Sequence, residues 1–368
     1  HPEYRRQRQM CIRDRDIPYI STFAKDLCKK YDWEIFFFKD SDLSNDLLKD
    51  CDAIFIRSTT YIDSDLIENT PIKYIGSATS GFDHIDNNYL NWNSIDRKCF
   101  IAKGCNSFAV VNYVLACLGF LIKFKNFSSA DSVGIIGYGN IGSLLSKTLD
   151  ILGIKNFCYD PYKSKYNDKK FLKDILNCKV VSIHASYSKE GIHPSYKLIN
   201  KSSTRDCHLN YLINTSRGEI VDEDYVLNNH SIDYIGDVWT NEPNCSKRNI
   251  KKALLATPHI AGYSNQAKIK ATQLLIESFC DFFDIDLNAN QIRNTDKLFY
   301  DFSNSHNFID NFPYKFFQQL FDIEQYSKKF KDQLLRKDYA FSDIRKSFKY
   351  IDDFSVYNFE DIKINNNS

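Results

Sequence analysis

Ser132-Val-Gly-Ile-Ile-Gly-Tyr-Gly-Asn-Ile-Gly142 reads as a strand running into a glycine-rich turn. Directly after it, Ile141, Leu144, Leu145, Leu149 and Leu152 recur at the 3.6-residue period of a helix with one buried face. Strand, G-x-G-x-x-G turn and helix in that order form a unit whose turn receives a pyrophosphate. Gly137 permits the tight turn, Gly139 lets the backbone approach the ligand, and Gly142 lets helix and strand pack closely. Asn140 and Ile141 open the helix, where unpaired N–H groups and the positive end of the dipole favour phosphate. The next strand, Phe157-Cys-Tyr159, ends in Asp160, 23 positions beyond Gly137. A carboxylate there accepts hydrogen bonds from ribose hydroxyls and repels a 2′-phosphate, so the expected cofactor is NAD rather than NADP.

Outward from this unit the same alternation continues. On the N-terminal side, Ala53-Ile-Phe-Ile56 and Lys73-Tyr-Ile-Gly76 read as buried strands, each running into small or hydroxyl residues, Arg57-Ser-Thr-Thr60 and Ser77-Ala-Thr-Ser-Gly81. The run 109–123 reads as a helix. On the C-terminal side, strands are expected at 180–184, 211–214 and 233–237. The fold class is therefore α/β, with two Rossmann-like doubly wound parallel-sheet domains. Residues 16–108 form the expected substrate-binding domain, completed by about 260–288, and 109–259 the NAD-binding domain. Residues 289–368 are aromatic and rich in Lys and Asn, contain no glycine, and carry an expected helix over 316–335. They read as a small α+β domain with too few apolar positions for an independent core, whose aromatic residues are expected to bury against a second subunit. The basic start, residues 1–15, reads as non-native and is set outside the functional reading.

Three segments carry chemistry: Asn214-Thr-Ser-Arg-Gly218, Asp237-Val-Trp-Thr-Asn-Glu-Pro243 and Thr257-Pro-His-Ile-Ala-Gly-Tyr263. Each follows an expected strand end, the place where open α/β sheets bind ligands. Arg217 has the donor fork to hold a substrate carboxylate and polarise the neighbouring C2 oxygen. His259 can take the hydroxyl proton as hydride leaves C2, with Glu242 orienting the imidazole and stabilising its charged form. The glycine-rich loop is taken by cofactor, so any further anionic group on a substrate would need a second site. Arg57, at a strand end, is the candidate; its alternative is a structural pairing with a carboxylate such as Asp52.

The order R-G, D-V-x-x-x-E-P and P-H-I-A-G behind a dinucleotide fingerprint resembles the D-2-hydroxyacid dehydrogenase family. Within it the likeness is greatest to the vitamin B6 branch, whose substrate is a small phosphorylated 2-hydroxy acid. That likeness runs from about residue 17 to 358 and rests on Ile56-Arg-Ser-Thr-Thr60, Pro71 to Asp86, Gly104-Cys-Asn-Ser-Phe-Ala-Val-Val111 and His259-Ile-Ala-Gly-Tyr263. The resemblance implies substrate contacts at Ser58, Thr79 and Tyr263, and cofactor contacts at Asp160, Thr215, Ser216, Asp237 and Gly262. It makes Arg217 and Glu242 active-site residues and His259 the proton donor in the reducing direction. Ala185 stands where that branch has a cofactor-contacting Thr, so the resemblance leaves only a backbone contact there. Phe341-Ser-Asp-Ile-Arg-Lys-Ser-Phe348 is similar to the branch's dimerisation region, which implies a homodimer. Two alternatives stay open: a phosphoglycerate or glycerate type dehydrogenase, and an NAD-sensing binding protein of the corepressor kind.

The balance of 48 Lys and Arg against 47 Asp and Glu gives no global field, so neither nucleic acid nor an anionic membrane surface is an expected partner. The longest apolar run, Tyr113 to Ile122, is ten residues, short of the roughly 20 needed to span a bilayer. Eleven cysteines without a C-x-x-C pair or a His at ligand spacing read as reduced thiols in a cytoplasmic enzyme with no metal.

Overall fold

The computed structural model describes residues 10–31, 33–128, 130–166, 172–287, 312–335 and 340–357, with Leu298 and Ile309. The chain divides into two units, 1–106 with 266–296, and 107–265 with 297–368. The expected boundary at 289 lies outside the described residues.

The first unit holds a parallel sheet of β1 (Cys11–Asp14), β2 (Glu34–Phe37), β3 (Ala53–Ile56), β4 (Tyr74–Ser77) and β5 (Lys98–Ile101), in the order β2-β1-β3-β4-β5. Alternate residues of β3 enter different cores: Ala53 and Phe55 pack with Ile12, Tyr74 and Phe279, while Ile54 and Ile56 pack with Leu48, Ile62 and Ile75. A strand covered on both faces has no polar side, which is why 53–56 reads as a continuous apolar run. The helix Asn265–Phe282 covers the Phe55 face through Leu275 and Phe279. Gly76 makes that approach possible, since a Cβ there would lie 2.2 Å from the Leu275 side chain. The segment 11–14, set aside in the sequence reading, supplies the strand between β2 and β3.

The second unit holds a parallel sheet of β6 (Val133–Ile136), β7 (Asn156–Tyr159), β8 (Val180–Ile183), β9 (Tyr211–Asn214), β10 (Asp233–Gly236) and β11 (Leu255–Ala256), in the order β11-β10-β9-β8-β6-β7. After β6 the chain goes to one side for β7 and returns to the other for β8. The crevice where the order reverses lies at the carboxyl ends of β6 and β8, the ligand position of doubly wound sheets.

Both sheets match the expected fold class, and the described C-terminal part corrects its last element. It is helical, with Tyr314–Leu320, Ile323–Leu335 and Phe341–Lys346 and a few isolated bridges, rather than α+β. The expected helix over 316–335 breaks at Phe321-Asp322, and Asp322 caps the second half by accepting the Gln325 N–H at 3.0 Å. The aromatic residues expected to await a second subunit are buried in their own chain. Phe312, Phe316, Phe317, Phe321 and Phe330 join the core of the second unit. The reason is the helix Ser107–Phe124, which is long and apolar enough to cross a membrane and is mostly buried within the unit. Apolar around its whole circumference, it needs a cover on more than one side. Gly119 lies where a Cβ would stand 3.2 Å from both Phe312 and Tyr314, and Phe321 packs edge-on against Tyr113.

Candidate active site

The glycine-rich turn has the geometry that its residues demand. Gly137 has φ +93, and a Cβ on it would lie 2.6 Å from the Ala185 nitrogen, so the end of β6 is pressed against the end of β8. A Cβ on Gly142 would collide with the Gly137 carbonyl. Gly139 differs: a Cβ there would meet nothing within 4 Å. The space above it is open, as a pyrophosphate cradle requires. Gly139 caps the helix Asn140–Ile151 with no side-chain hydrogen bond, leaving the first N–H groups to a ligand. Asp160, just past β7, accepts the Tyr138 N–H at 2.8 Å and the Tyr162 N–H at 3.0 Å, so its carboxylate is held at the rim of this turn. These residues fit a dinucleotide.

Behind the turn, His184 bridges Ser182 at 2.9 Å and Thr215 at 3.3 Å, and burial pushes its pKa down to about 3. A neutral imidazole thus links the ends of β8 and β9. The Ser216 hydroxyl donates to the Ala185 carbonyl, so Ala185 contributes backbone and no hydroxyl.

Arg217, Glu242 and His259 follow β9, β10 and β11, three neighbouring strands, and so share one edge of the sheet. His259 Nδ1 lies 2.7 Å from Glu242 Oε2, with about a third of the His259 side chain exposed. Glu242 Oε1 accepts the Trp239 N–H at 2.8 Å. Burial alone would raise the Glu242 pKa, but the charge and hydrogen bond of His259, the Trp239 N–H and the charge of Arg345 together hold it below its ordinary value. The next two N–H groups are also taken by carboxylates, Thr240 by Glu223 at 2.7 Å and Asn241 by Glu219 at 3.2 Å. Both acceptors follow closely after Arg217, so the two catalytic segments are stitched together. Gly218 makes this possible, since a Cβ would stand 2.1 Å from the Trp239 carbonyl carbon. Arg217 itself donates to the Ser216 carbonyl at 2.8 Å.

The His259 backbone is left-handed, with φ +59. That conformation costs a non-glycine residue about 1–2 kcal/mol. Asp237, 1 % exposed, holds it there. The Asp237 carbonyl accepts the His259 N–H at 2.7 Å, and its carboxylate accepts the Thr257 hydroxyl at 2.6 Å and the N–H groups of Ile260 and Ala261 at 2.8 and 2.9 Å. Asp237 therefore organises the His259 turn, a task additional to the cofactor contact that the resemblance implies. Gly262 and Tyr263 continue the turn, half-buried, with the Tyr263 ring beside Tyr350 and Arg345.

Arg57, Ser58 and Thr79 lie in the first unit, just past β3 and β4. Its strand order reverses between β1 and β3, so Arg57 and Ser58 stand at that sheet's own switch point. Thr59 and Thr60 donate to Asp40 at 2.9 and 2.7 Å, and Arg15, past β1, clasps the same carboxylate at 2.6 and 2.8 Å. Arg57 acts electrostatically on the buried Asp14. Sequence reasoning missed Arg15 because 1–15 was set aside, missed Arg345 because its segment was read only as a dimerisation region, and missed His184 because no local motif marks it. Among the described residues no cluster of His, Cys, Asp or Glu could hold a metal ion.

A dinucleotide cradle and an Arg, Glu and His on one sheet edge define an NAD-dependent dehydrogenase. Residues 125–261 match the family model for the NAD-binding domain of the D-isomer specific 2-hydroxyacid dehydrogenases. The fold is shared with NAD-bound 3-phosphoglycerate dehydrogenase of Entamoeba histolytica, at TM-score 0.62 and 23 % identity over 78 % of this chain and 99 % of that one. The chain is 40 % identical over 261 residues to the erythronate-4-phosphate dehydrogenase of Blochmanniella floridana, covering 68 % of this chain and 70 % of that protein. It is 32 % identical over 313 residues to that of Ruthia magnifica, covering 83 % and 88 %. The chain belongs to the erythronate-4-phosphate dehydrogenase family.

Proposed function

We propose that the protein oxidises 4-phospho-D-erythronate at C2 to (R)-3-hydroxy-2-oxo-4-phosphooxybutanoate, a step of pyridoxal 5′-phosphate biosynthesis. The observation that carries the reading is the 2.7 Å His259–Glu242 pair on the sheet edge that also bears the dinucleotide turn. The glycine-rich turn at 137–142 and Asp160 would hold NAD, which would supply the acceptor for the hydride from C2. Glu242 occupies Nδ1 of His259, which leaves Nε2 to take the C2 hydroxyl proton. Arg217 holds the carboxylate and draws charge from the C2 oxygen, and Glu242 balances the charge that His259 acquires. Thr215, Ser216, Asp237 and Gly262 serve the cofactor, Ser58, Thr79 and Tyr263 the substrate, and Arg57 its phosphate. A cytoplasmic location is supported by eleven cysteines, none of which forms a disulfide. A homodimer through 289–368 is supported by the likeness of 341–348 to the family's dimerisation region.

The test is NADH formation with NAD and 4-phospho-D-erythronate, against 3-phosphoglycerate at matched concentration. Faster turnover of 3-phosphoglycerate would defeat the substrate assignment, and cofactor binding without turnover would favour the sensor reading.

A further inference from the structure

Arg345 lies in the helix Phe341–Lys346, in the C-terminal part of the chain, and nothing in the reaction above uses it. Its Nε donates to the backbone carbonyl of His259 at 3.1 Å, across 86 positions of sequence. Its guanidinium carbon stands 5.4 Å from the centre of the Tyr263 ring. One planar fork thus bonds the peptide of the proton-transfer residue and stacks on the ring four positions later.

The His259 turn needs holding from more than one side, because a left-handed non-glycine residue persists only where its surroundings over-determine it. Asp237 grips the amide side, through the N–H groups of His259, Ile260 and Ala261. Arg345 supplies the side-chain donor on the carbonyl side. The segment after it continues the support: the Asn265 N–H donates to the Ile351 carbonyl at 2.8 Å, the Asn265 amide to Asp352 at 2.9 Å, and the Ser264 hydroxyl to Asp353.

We infer that Arg345 is a positioning residue for proton transfer, fixing the peptide that aims the His259 imidazole, and that the C-terminal extension is thereby part of its own chain's catalytic apparatus. The inference rests on the reading that His259 moves the proton. A hydrogen-bond donor without the planar fork restores only part of the arrangement, so lysine is a partial substitute and alanine none. The neighbouring Lys346 is exposed and serves as a control.

The experiment compares Arg345→Ala, Arg345→Lys, Lys346→Ala and His259→Gln, each with turnover and NADH binding measured on the full chain. Arg345→Ala should lower kcat about 10- to 100-fold, the scale of a misplaced catalytic group. Its NADH Kd should stay within about twofold of wild type, because the glycine-rich turn is untouched. Arg345→Lys should recover a substantial part of kcat, and Lys346→Ala should match wild type. If Arg345→Ala keeps its kcat, or if alanine and lysine lose kcat and NADH affinity together, the inference is wrong. His259→Gln separates the two failures. Inactive His259→Gln beside fully active Arg345→Ala sinks the inference alone, whereas active His259→Gln overturns the reading of the site and the inference with it.

Discussion

The backbone carbonyl of Asp237 accepts the N–H of His259 at 2.7 Å, while the Asp237 carboxylate accepts three further donors from residues 257–261. Burial raises the pKa of this carboxyl, and the charge of His259 with the three donors opposes that rise. Asp237→Asn turns an NH2 group toward one of those donors and leaves a buried N–H without an acceptor. The expected cost is about 1–3 kcal/mol of stability, with a fall in kcat. Denaturant unfolding and steady-state kinetics check both, and a variant as stable and as active as wild type would free Asp237 of this role.

At the cofactor turn, Asp160 holds the Tyr138 and Tyr162 N–H groups at the rim. Asp160→Ala should weaken NADH binding and narrow the preference over NADPH, read by fluorescence titration with both. Unchanged affinity for NADH would place the ribose elsewhere.

Stability should depend on pH through two buried carboxyl groups. Desolvation pushes Asp14 and Glu223 each up to about 7, against the N–H groups of Ile17 and Thr240. A raised acid means that the folded chain keeps protons that the unfolded chain releases, so this contribution is full below the ordinary carboxylate range and is lost as pH rises from there through about 7. Glu242 and Asp40, both lowered, act the other way and below their ordinary values, outside this window, whereas the neutral His184 opposes the two acids up to its ordinary pKa of 6.5, one group against two. Tm should therefore fall between about pH 5 and about pH 7, most steeply above about pH 6.5, and the fall should disappear in the Asp14→Asn, Glu223→Gln double variant. A wild-type Tm that climbs across the same interval would contradict the assignment.

For the phosphate, Arg57→Ala should raise KM for 4-phospho-D-erythronate far more than for erythronate. Equal effects on the two substrates would leave Arg57 with only its structural part beside Asp14.

Much of this was legible in the sequence, for physical reasons. The strand, glycine turn and helix at 132–152 have local signals at every position, and strands buried on both faces, such as 53–56 and 180–183, stand out as apolar runs. Other elements had no such signal. β2 is an edge strand with Phe36 and Phe37 exposed, so its pattern has no inner and outer side, and β11 is two residues long. β1 carries Arg13 and Asp14 in a central strand, an arrangement that reads as polar until its neighbours are known. The break at Phe321-Asp322 did have a sign, Asp322 three positions before Gln325, a capping pattern. The catalytic Arg, Glu and His were recognisable from their order behind the fingerprint. The residues that hold them, Asp237 by its carboxylate and Arg345 from 86 positions away, act through tertiary contacts that no window of sequence contains.

The most direct test of the central claim uses 4-phospho-D-erythronate deuterated at C2, with NAD and the wild-type protein, and measures the mass of the reduced cofactor. If hydride leaves C2 beside the glycine-rich turn while His259 takes the hydroxyl proton, the deuterium appears in the NADH and the product is the unlabelled 2-oxo acid. Unlabelled NADH, or deuterium retained in the product or lost to water, would contradict it.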